Sequence, residues 1–365
     1  MKRLFTLVAL VGLALSVSGP TAAQNNPATP GNLNIYWIDV EGGAATLFVS
    51  PSGESMLFDT GYPDADRDAK RIHAVAKMAG LTRIDHVVIS HWHGDHVGGL
   101  AALAKMIPMG TFYDHGDGVE PADRQRLEGY KAVAGAKRTI VNAGDTIPFG
   151  SVQVRVVVSE GPVIANPING GGPNPLCANA AQQAPAGPEN QRMVGLSLTY
   201  GRFTFASLAD LDWQRELELA CPINKLGTVT VYTVNRHGGL DNSGTPALLG
   251  AITPQVIVVN NGPRKGLGGR DDRVKPIVVP GVQPAPYEPN SYLRMAKTRG
   301  VEDIWQGHLS MLDSDPSHNT SRDMIANIED APDHQGHWIA ASVARDGRFT
   351  VTNGRNGFRK TYTAR

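Results

Sequence analysis

The sequence predicts an α/β fold organised as one domain, on three observations. Short apolar, β-branched runs alternate along the chain with stretches of helical spacing, and no segment repeats another. One such run, Ile84-Asp85-His86-Val87-Val88-Ile89-Ser90, reads as a buried strand and passes through a turn at Gly94 into the start of a helix, Val97-Gly98-Gly99-Leu100-Ala101-Ala102-Leu103. Glycine (41) and proline (25) are frequent enough among 365 residues to imply many turns between short elements.

Residues 1–23 read as a secretory signal peptide. Met1-Lys2-Arg3 is a short positive region, residues 4–17 are apolar, and Ser18-Gly19-Pro20-Thr21-Ala22-Ala23 is a helix-breaking, small-residue end suited to cleavage near Ala23. The apolar run is shorter than a membrane span needs and no later run reaches its length. The mature protein is therefore expected in a periplasm or outside the cell, with no membrane span after signal removal. Residues 24–32, polar and proline-bearing, are expected to be a disordered leader, which leaves 33–365 as the folded domain.

Within that domain, residues 33–40, 45–50 and 55–58 read as strands of one sheet, and 66–80 as a helix stopped by Gly80. After the 84–90 strand, residues 111–113 and 150–158 are expected to be later strands of the same half. Residues 159–192 break every periodicity around Asn166-Pro167-Ile168-Asn169-Gly170-Gly171-Gly172-Pro173; they form an inserted loop, either a lid near a site or a passive insertion. Strand patterning resumes at Val194. A second inserted loop at 262–286 carries Arg264, Lys265, Arg270, Arg273 and Lys275 beside Asp271 and Asp272. A helix at 290–299, a strand at 339–344 and a hairpin-like Arg345-Asp346-Gly347-Arg348 before Phe349-Thr350-Val351 are expected to complete the second half.

Composition disfavours some partners, nucleic acid among them, without excluding them. The chain has 34 basic and 34 acidic residues; removing Lys2 and Arg3 leaves 32 against 34, a charge of −2. A long polyanion such as nucleic acid gains little bulk attraction from that balance, and neither does a membrane surface. Cys177 and Cys221 are the only cysteines. In an oxidising compartment an even pair reads most simply as one disulfide, tying the insert around Cys177 to the region after Leu211-Asp212-Trp213; two buried free thiols are the alternative.

The densest chemistry lies in Ser90-His91-Trp92-His93-Gly94-Asp95-His96, which places four metal-ligand side chains in six positions. His91 and His93 are two apart, so in an extended chain their rings share one side and can hold one ion. Asp95 and His96 follow the Gly94 turn and can face a second. Neutral imidazole and carboxylate suit zinc, with manganese or iron as competitors, as one ion or two. The bland alternative is a polar loop of solvated histidines.

His91-Trp92-His93-Gly94-Asp95-His96 resembles the H-x-H-x-D-H signature of the metallo-β-lactamase superfamily, including the strand before it and the Gly-Gly-Leu after it. The resemblance implies a four-layer αββα sandwich with metal ligands at one edge, on loops that follow strands. Further segments resemble the superfamily's other stations in order. Met56-Leu57-Phe58-Asp59-Thr60-Gly61 is similar to an early strand whose aspartate supports the metal loop without binding metal. Phe203-Thr204-Phe205-Ala206-Ser207-Leu208-Ala209-Asp210 is similar to the strand that delivers a metal-bridging aspartate; Asp210 is preferred to Asp212 because it follows the apolar strand at once. Val231-Tyr232-Thr233-Val234-Asn235-Arg236-His237 is similar to the strand ending in the last histidine ligand.

Within the superfamily the likeness is nearest to the metallo-β-lactamase-like domain of the DNA-uptake competence protein ComEC, on Ile38-Asp39-Val40-Glu41-Gly42-Gly43-Ala44-Ala45-Thr46-Leu47 and on Arg236-His237-Gly238-Gly239; it covers roughly residues 33–260. The chain departs from the better-known hydrolases at one point. They carry a histidine between the motif and the bridging aspartate, and none occurs here between His115 and His237. The resemblance thus implies a first metal position with His91, His93 and Asp210, and a second with Asp95, His96, Asp210 and His237. Asn190, His115 or His308 could complete the first.

The function implied is a metal-dependent hydrolase in which a hydroxide held by the ion attacks an ester-like centre, with Asp95 or Asp210 orienting it and shuttling its proton. The competence-type likeness favours a phosphodiester or related ester, small enough for the basic residues at 264–275 to hold one phosphate locally. The alternatives are a β-lactamase or lactonase of the same superfamily, and a non-hydrolytic metal-binding periplasmic module.

Overall fold

The computed structural model describes residues 26–239, 243–270, 275–331 and 333–365; the expected signal peptide at 1–23 lies outside them. The chain opens with an antiparallel meander, β1 (Leu33–Trp37), β2 (Thr46–Val49) and β3 (Ser55–Phe58). Next come α1 (Arg67–Met78), β4 (Ile84–Val88), two single-turn helices α2 (Gly94–Val97) and α3 (Leu100–Leu103), β5 (Met109–Asp114), α4 (Asp123–Ala134) and β6 (Arg138–Ile140). A second sheet begins with β7 (Thr146–Ile147) and β8 (Gln153–Val158). Past the short β9 (Gln182–Gln183) it continues through β10 (Gly195–Tyr200), β11 (Phe203–Ser207), α5 (Trp213–Ala220), β12 (Val231–Thr233), α6 (Pro246–Ile252) and β13 (Val256–Val259). After β14 (Pro276–Ile277) and α7 (Ser291–Ala296) it ends with β15 (Asp303–His308) and β16 (Ile325–Asn327), and β17 (Ile339–Val343), β18 (Arg348–Asn353) and β19 (Arg359–Thr363) follow.

The strand order is β19-β18-β17-β1-β2-β3-β4-β5-β6 in one sheet and β16-β15-β13-β12-β11-β10-β8-β7 in the other. Alternation along each strand assigns its faces. Leu33, Ile35 and Trp37 of β1 join Phe205, Val231 and Val258 of the second sheet in a core between the sheets. Tyr36, Leu47 and Leu57 point the other way, onto Ile72, Leu100 and Leu127 of the helices. On the second sheet's outer face Ala206, Tyr232 and Ile257 meet Trp213, Leu248 and Met295. Helices, sheet, sheet, helices: this is the αββα sandwich expected from the resemblance. Because most strands are covered on both faces, they read in the sequence as nearly continuous apolar runs. Each Val, Leu, Ile or Phe buried in these layers contributes roughly 1.5–3 kcal/mol.

Sheet membership departs from the sequence reading in two places. The 150–158 segment was expected in the first half, but β8 pairs with β10 in the second sheet. The C-terminal strand and hairpin were expected to complete the second half. Instead β17 pairs antiparallel with β1, Trp37 opposite Ile339, and extends the first sheet. Doubly buried strands carry no mark of which sheet they join. The helix α4 went unread although Leu127, Tyr130 and Ala134 recur on one buried face; its many charged residues obscure that stripe. Residues 26–32, expected as a disordered leader, are instead tied down: Tyr36 donates to the Asn26 carbonyl (3.0 Å), Thr29 N–H to Asn34 Oδ1 (3.1 Å) and Tyr200 to the Gly31 carbonyl (3.0 Å).

The two inserted loops meet each other. β9, within 159–192, pairs antiparallel with β14, within 262–286. Cys177 and Cys221 are bridged, with Cα atoms 5.5 Å apart, and Asn174 Nδ2 donates to the carbonyls of Ala220 (2.9 Å) and Ala247 (3.1 Å). The first insert is thereby fastened to the end of α5 and to α6. No helix among the described residues is long and apolar enough to cross a membrane.

Closing a loop of 44 residues restricts the unfolded chain by on the order of 3–4 kcal/mol. Cys177→Ser is therefore expected to lower the unfolding free energy by about that amount, and denatured, unreduced wild-type protein to show no free thiol. Two reactive thiols, or a variant as stable as wild type, would remove the bridge from the account.

Candidate metal centre

The centre is assembled at the ends of strands. β3 delivers Asp59 in a left-handed conformation (φ 64), and its buried carboxylate accepts from Ser90 N–H (2.7 Å), Ser90 Oγ (2.7 Å) and His96 Nδ1 (2.7 Å). β4 delivers the His91–His96 segment, and Thr60 Oγ1 donates to the His96 carbonyl (3.0 Å). With Nδ1 committed to Asp59, His96 turns Nε2 inward; this is the support that the resemblance assigns to Asp59. From the other sheet, Asp210 follows β11 after Ala209 (φ 45), and His237 (φ 56) follows β12.

Asp95, His96, Asp210 and His237 converge, each offering a donor atom within 4.8 Å of the others'. Asp210 Oδ1 is 3.2 Å from both His96 Nε2 and His237 Nε2, while Asp95 Oδ2 is 3.5 Å and 3.3 Å from the same two nitrogens. Asp210 Oδ1, His96 Nε2 and His237 Nε2 are buried without a hydrogen-bond partner. Buried polar atoms are normally satisfied, so two imidazole nitrogens and a carboxylate oxygen aimed at one point fit a transition-metal ion; two imidazoles with two carboxylates suit zinc.

The cluster's carboxylates and imidazoles shift one another's proton affinities. Burial disfavours charge here, yet Asp210, Asp95 and Asp59 hold the His96 imidazolium well above the ordinary histidine range. Burial likewise pushes Asp95 and Asp210 up, and the neighbouring imidazoles more than reverse it, holding both well below the ordinary carboxylate range. Lys265 donates to Asp95 Oδ2 and, at 2.7 Å, to Tyr62 Oη. The approach of its loop depends on Gly266 (φ 86), where a Cβ would lie 2.1 Å from the His237 carbonyl oxygen.

His91 and His93 were expected to share the first position with Asp210. His91 lies between the two other motif histidines, its ring 4.6 Å from that of His93 and 4.1 Å from that of His96, with Nε2 buried and unpartnered. His93 instead joins Glu120 and Asp123. The three residues considered for completing the first position each have another contact. Asn190 Nδ2 donates to the Asp210 carbonyl (3.3 Å), His115 bonds to Glu189 (2.9 Å), and His308 Nε2 bonds to Asp39 (2.6 Å) in a separate group with Glu41, His334 and Arg71. Asp212, the rival of Asp210, caps α5 by accepting from Arg215 N–H (3.1 Å).

Sequence reading missed Glu189. Its buried carboxylate accepts from Trp92 N–H (3.0 Å) and His115 Nε2 (2.9 Å) through one oxygen and from Val119 N–H (3.3 Å) through the other. It fastens the end of the first insert to the motif loop. Nothing in the sequence marks a lone glutamate in an irregular segment. Lys265 was read as a phosphate handle on a basic loop, not as a contact of Asp95. Its neighbour Arg264 pairs with Asp330 at 2.6 Å, and Arg273 lies outside the described residues.

Residues 38–168 match the model of the metallo-beta-lactamase superfamily. That span contains Asp59 and the whole His91–His96 segment. Among relatives, a UPF0173 metal-dependent hydrolase of Cupriavidus taiwanensis is 31% identical over 111 residues, which is 29% of this chain and 36% of that protein. Another, from Cupriavidus necator, is 27% identical over 158 residues, 42% of this chain and 50% of that protein. The match thus spans no more than half the length of either relative. The metallo-beta-lactamase fold protein YhfI from Bacillus subtilis aligns over 75% of this chain and 96% of its own, with 12% identity and a TM-score of 0.43.

Burial pushes the Glu189 carboxyl up, but His115 and the N–H groups of Trp92 and Val119 outweigh it and hold the group below its usual value. A depressed carboxyl contributes stability that is complete above its unfolded value and is lost as pH falls through the folded one. Glu189→Gln is therefore expected to be less stable than wild type at pH 7, with the gap narrowing as the solution is acidified below pH ~4.5. Denaturant unfolding across that range is the check; a gap independent of pH would contradict the assignment.

Proposed function

We propose that this protein is an exported metal-dependent hydrolase acting on a small phosphodiester or a related ester. The observation that carries the reading is the convergence of buried, unpartnered donor atoms from His96, Asp210 and His237, with Asp95 beside them. Zinc is the ion proposed, and manganese or iron are the alternatives that this donor set admits. Such an ion supplies Lewis acidity and lowers the pKa of the water it holds to about 7.

The chain's own residues have distinct tasks. Asp59 fixes the ring of His96 through Nδ1. Asp210 Oδ1 and Asp95 Oδ2 are the carboxylate oxygens at the meeting point of the two imidazoles, positioned to hold a proton released during attack. Lys265 presents an ammonium group at the rim, on Asp95, where it can hold an anionic oxygen of the substrate. The burial of His91, His96 and His237 keeps bulk water from the donors.

The phosphodiester preference is supported by this cation and by the competence-type likeness of residues 38–47 and 236–239. Export is supported by the signal-like residues 1–23 and by the Cys177–Cys221 bridge, which suits an oxidising compartment. The relatives' names, metal-dependent hydrolases, support the reaction class.

Turnover of a chromogenic phosphodiester, a cephalosporin and a homoserine lactone, before and after chelation, tests the reading. Phosphodiester cleavage should depend on added metal and fall by about a hundredfold or more in Asp210→Ala. Lys265→Ala should raise KM roughly tenfold, while Arg264→Ala, whose side chain is occupied with Asp330, should leave it unchanged. Hydrolysis of the lactam or lactone alone would move the protein to that class, and metal-independent turnover would end the hydrolase proposal.

A further inference from the structure

His93, Glu120 and Asp123 form a group apart from the four-donor cluster, with one donor atom of each within 4.8 Å of the others'. His93 Nε2 is 3.5 Å from Glu120 Oε2. Asp123 is fully buried. Its Oδ2 accepts from Glu120 N–H (2.8 Å), while Oδ1 has no hydrogen-bond partner. Arg126 Nη1, 3.7 Å from that oxygen, instead donates to the Trp92 carbonyl (3.2 Å). Glu189 holds the arrangement in register, because its carboxylate takes N–H groups from both Trp92 and Val119, the residues preceding His93 and Glu120. On the other side, Gly187 lies against Glu120, where a Cβ would stand 3.4 Å from Oε1.

We propose that Glu120 and Asp123 join His93 in a second cation position, with carboxylates where the better-known hydrolases carry a further histidine. This rests on the metal-dependent reading above. The substitution changes the chemistry of the position. Two carboxylates make it harder than an all-imidazole site, and carboxylate-rich sites suit manganese where imidazole suits zinc. The two positions are therefore unlike: an imidazole–carboxylate position at Asp95, His96, Asp210 and His237 that prefers zinc, and a carboxylate-rich one that prefers manganese.

The test is metal uptake by the chelator-stripped whole protein, followed by equilibrium dialysis against Mn2+ with electron paramagnetic resonance as readout. Wild type should take up two equivalents. Glu120 is partly exposed at the surface, so Glu120→Gln should stay folded, lose one equivalent and weaken that step by at least about tenfold. Glu120→His should regain two equivalents and favour Zn2+ at the restored position, an outcome that a merely structural role for Glu120 does not produce. Asp210→Asn should strike the other equivalent. If Glu120→Gln keeps both equivalents at wild-type affinity, or wild type holds a single one that only Asp210→Asn removes, the second position is overturned while the hydrolase reading stands. Uptake of no metal by wild type overturns both.

Discussion

Two carboxylates held against two inward-facing imidazoles, all largely shielded from water, are the constraint on which the rest of the structure turns. Asp95 and Asp210 bring negative charge, and His96 and His237 bring ring nitrogens, to a point where three atoms have no hydrogen-bond partner. Such an arrangement is costly unless a positive charge is shared among its members. The neighbouring contacts serve to maintain it. Asp59 takes one nitrogen of His96 so that the other faces inward, Lys265 lies on Asp95, and Asn190 and Glu189 reach from the first insert to the backbones of Asp210 and Trp92.

The topology explains why these residues meet. β3 to β6 run parallel in one sheet, and β11, β12, β13, β15 and β16 run parallel in the other. Asp59, the His91–His96 segment and His115 follow the carboxyl ends of β3, β4 and β5, while Asp210 and His237 follow those of β11 and β12. Ligand sites in α/β sheets form at such ends. Here two sheets contribute, so the centre exists only once the sandwich has closed. Trp37 of β1 donates to Thr233 of β12 at 2.8 Å, a direct bond between the sheets one turn before His237.

Much of the centre was legible in the sequence, because a dense run of ligand residues after a buried strand has few other uses. The ordered stations at Asp59, Asp210 and His237 were legible for the same reason: each is a polar residue placed directly after an apolar strand. What escaped reading depends on distant contacts. Glu189 lies in a stretch without periodicity, Glu120 and Asp123 lie before and at the start of a helix whose charges hid its apolar stripe, and Lys265 gains its position from Gly266 packing on His237. Sheet membership of β8 and β17 was illegible too, since strands covered on both faces look alike whichever sheet they join.

The central claim is that the four converging donors are completed by a cation. Anomalous diffraction at the zinc edge, from crystals of the whole protein equilibrated with Zn2+, tests it most directly. A cation completing the donors gives a peak enclosed by Asp95, His96, Asp210 and His237, with the Lys265 ammonium moved off Asp95. A protein that takes up zinc with no peak among those four residues, or whose Lys265–Asp95 pair persists while the ion is bound elsewhere, would contradict it.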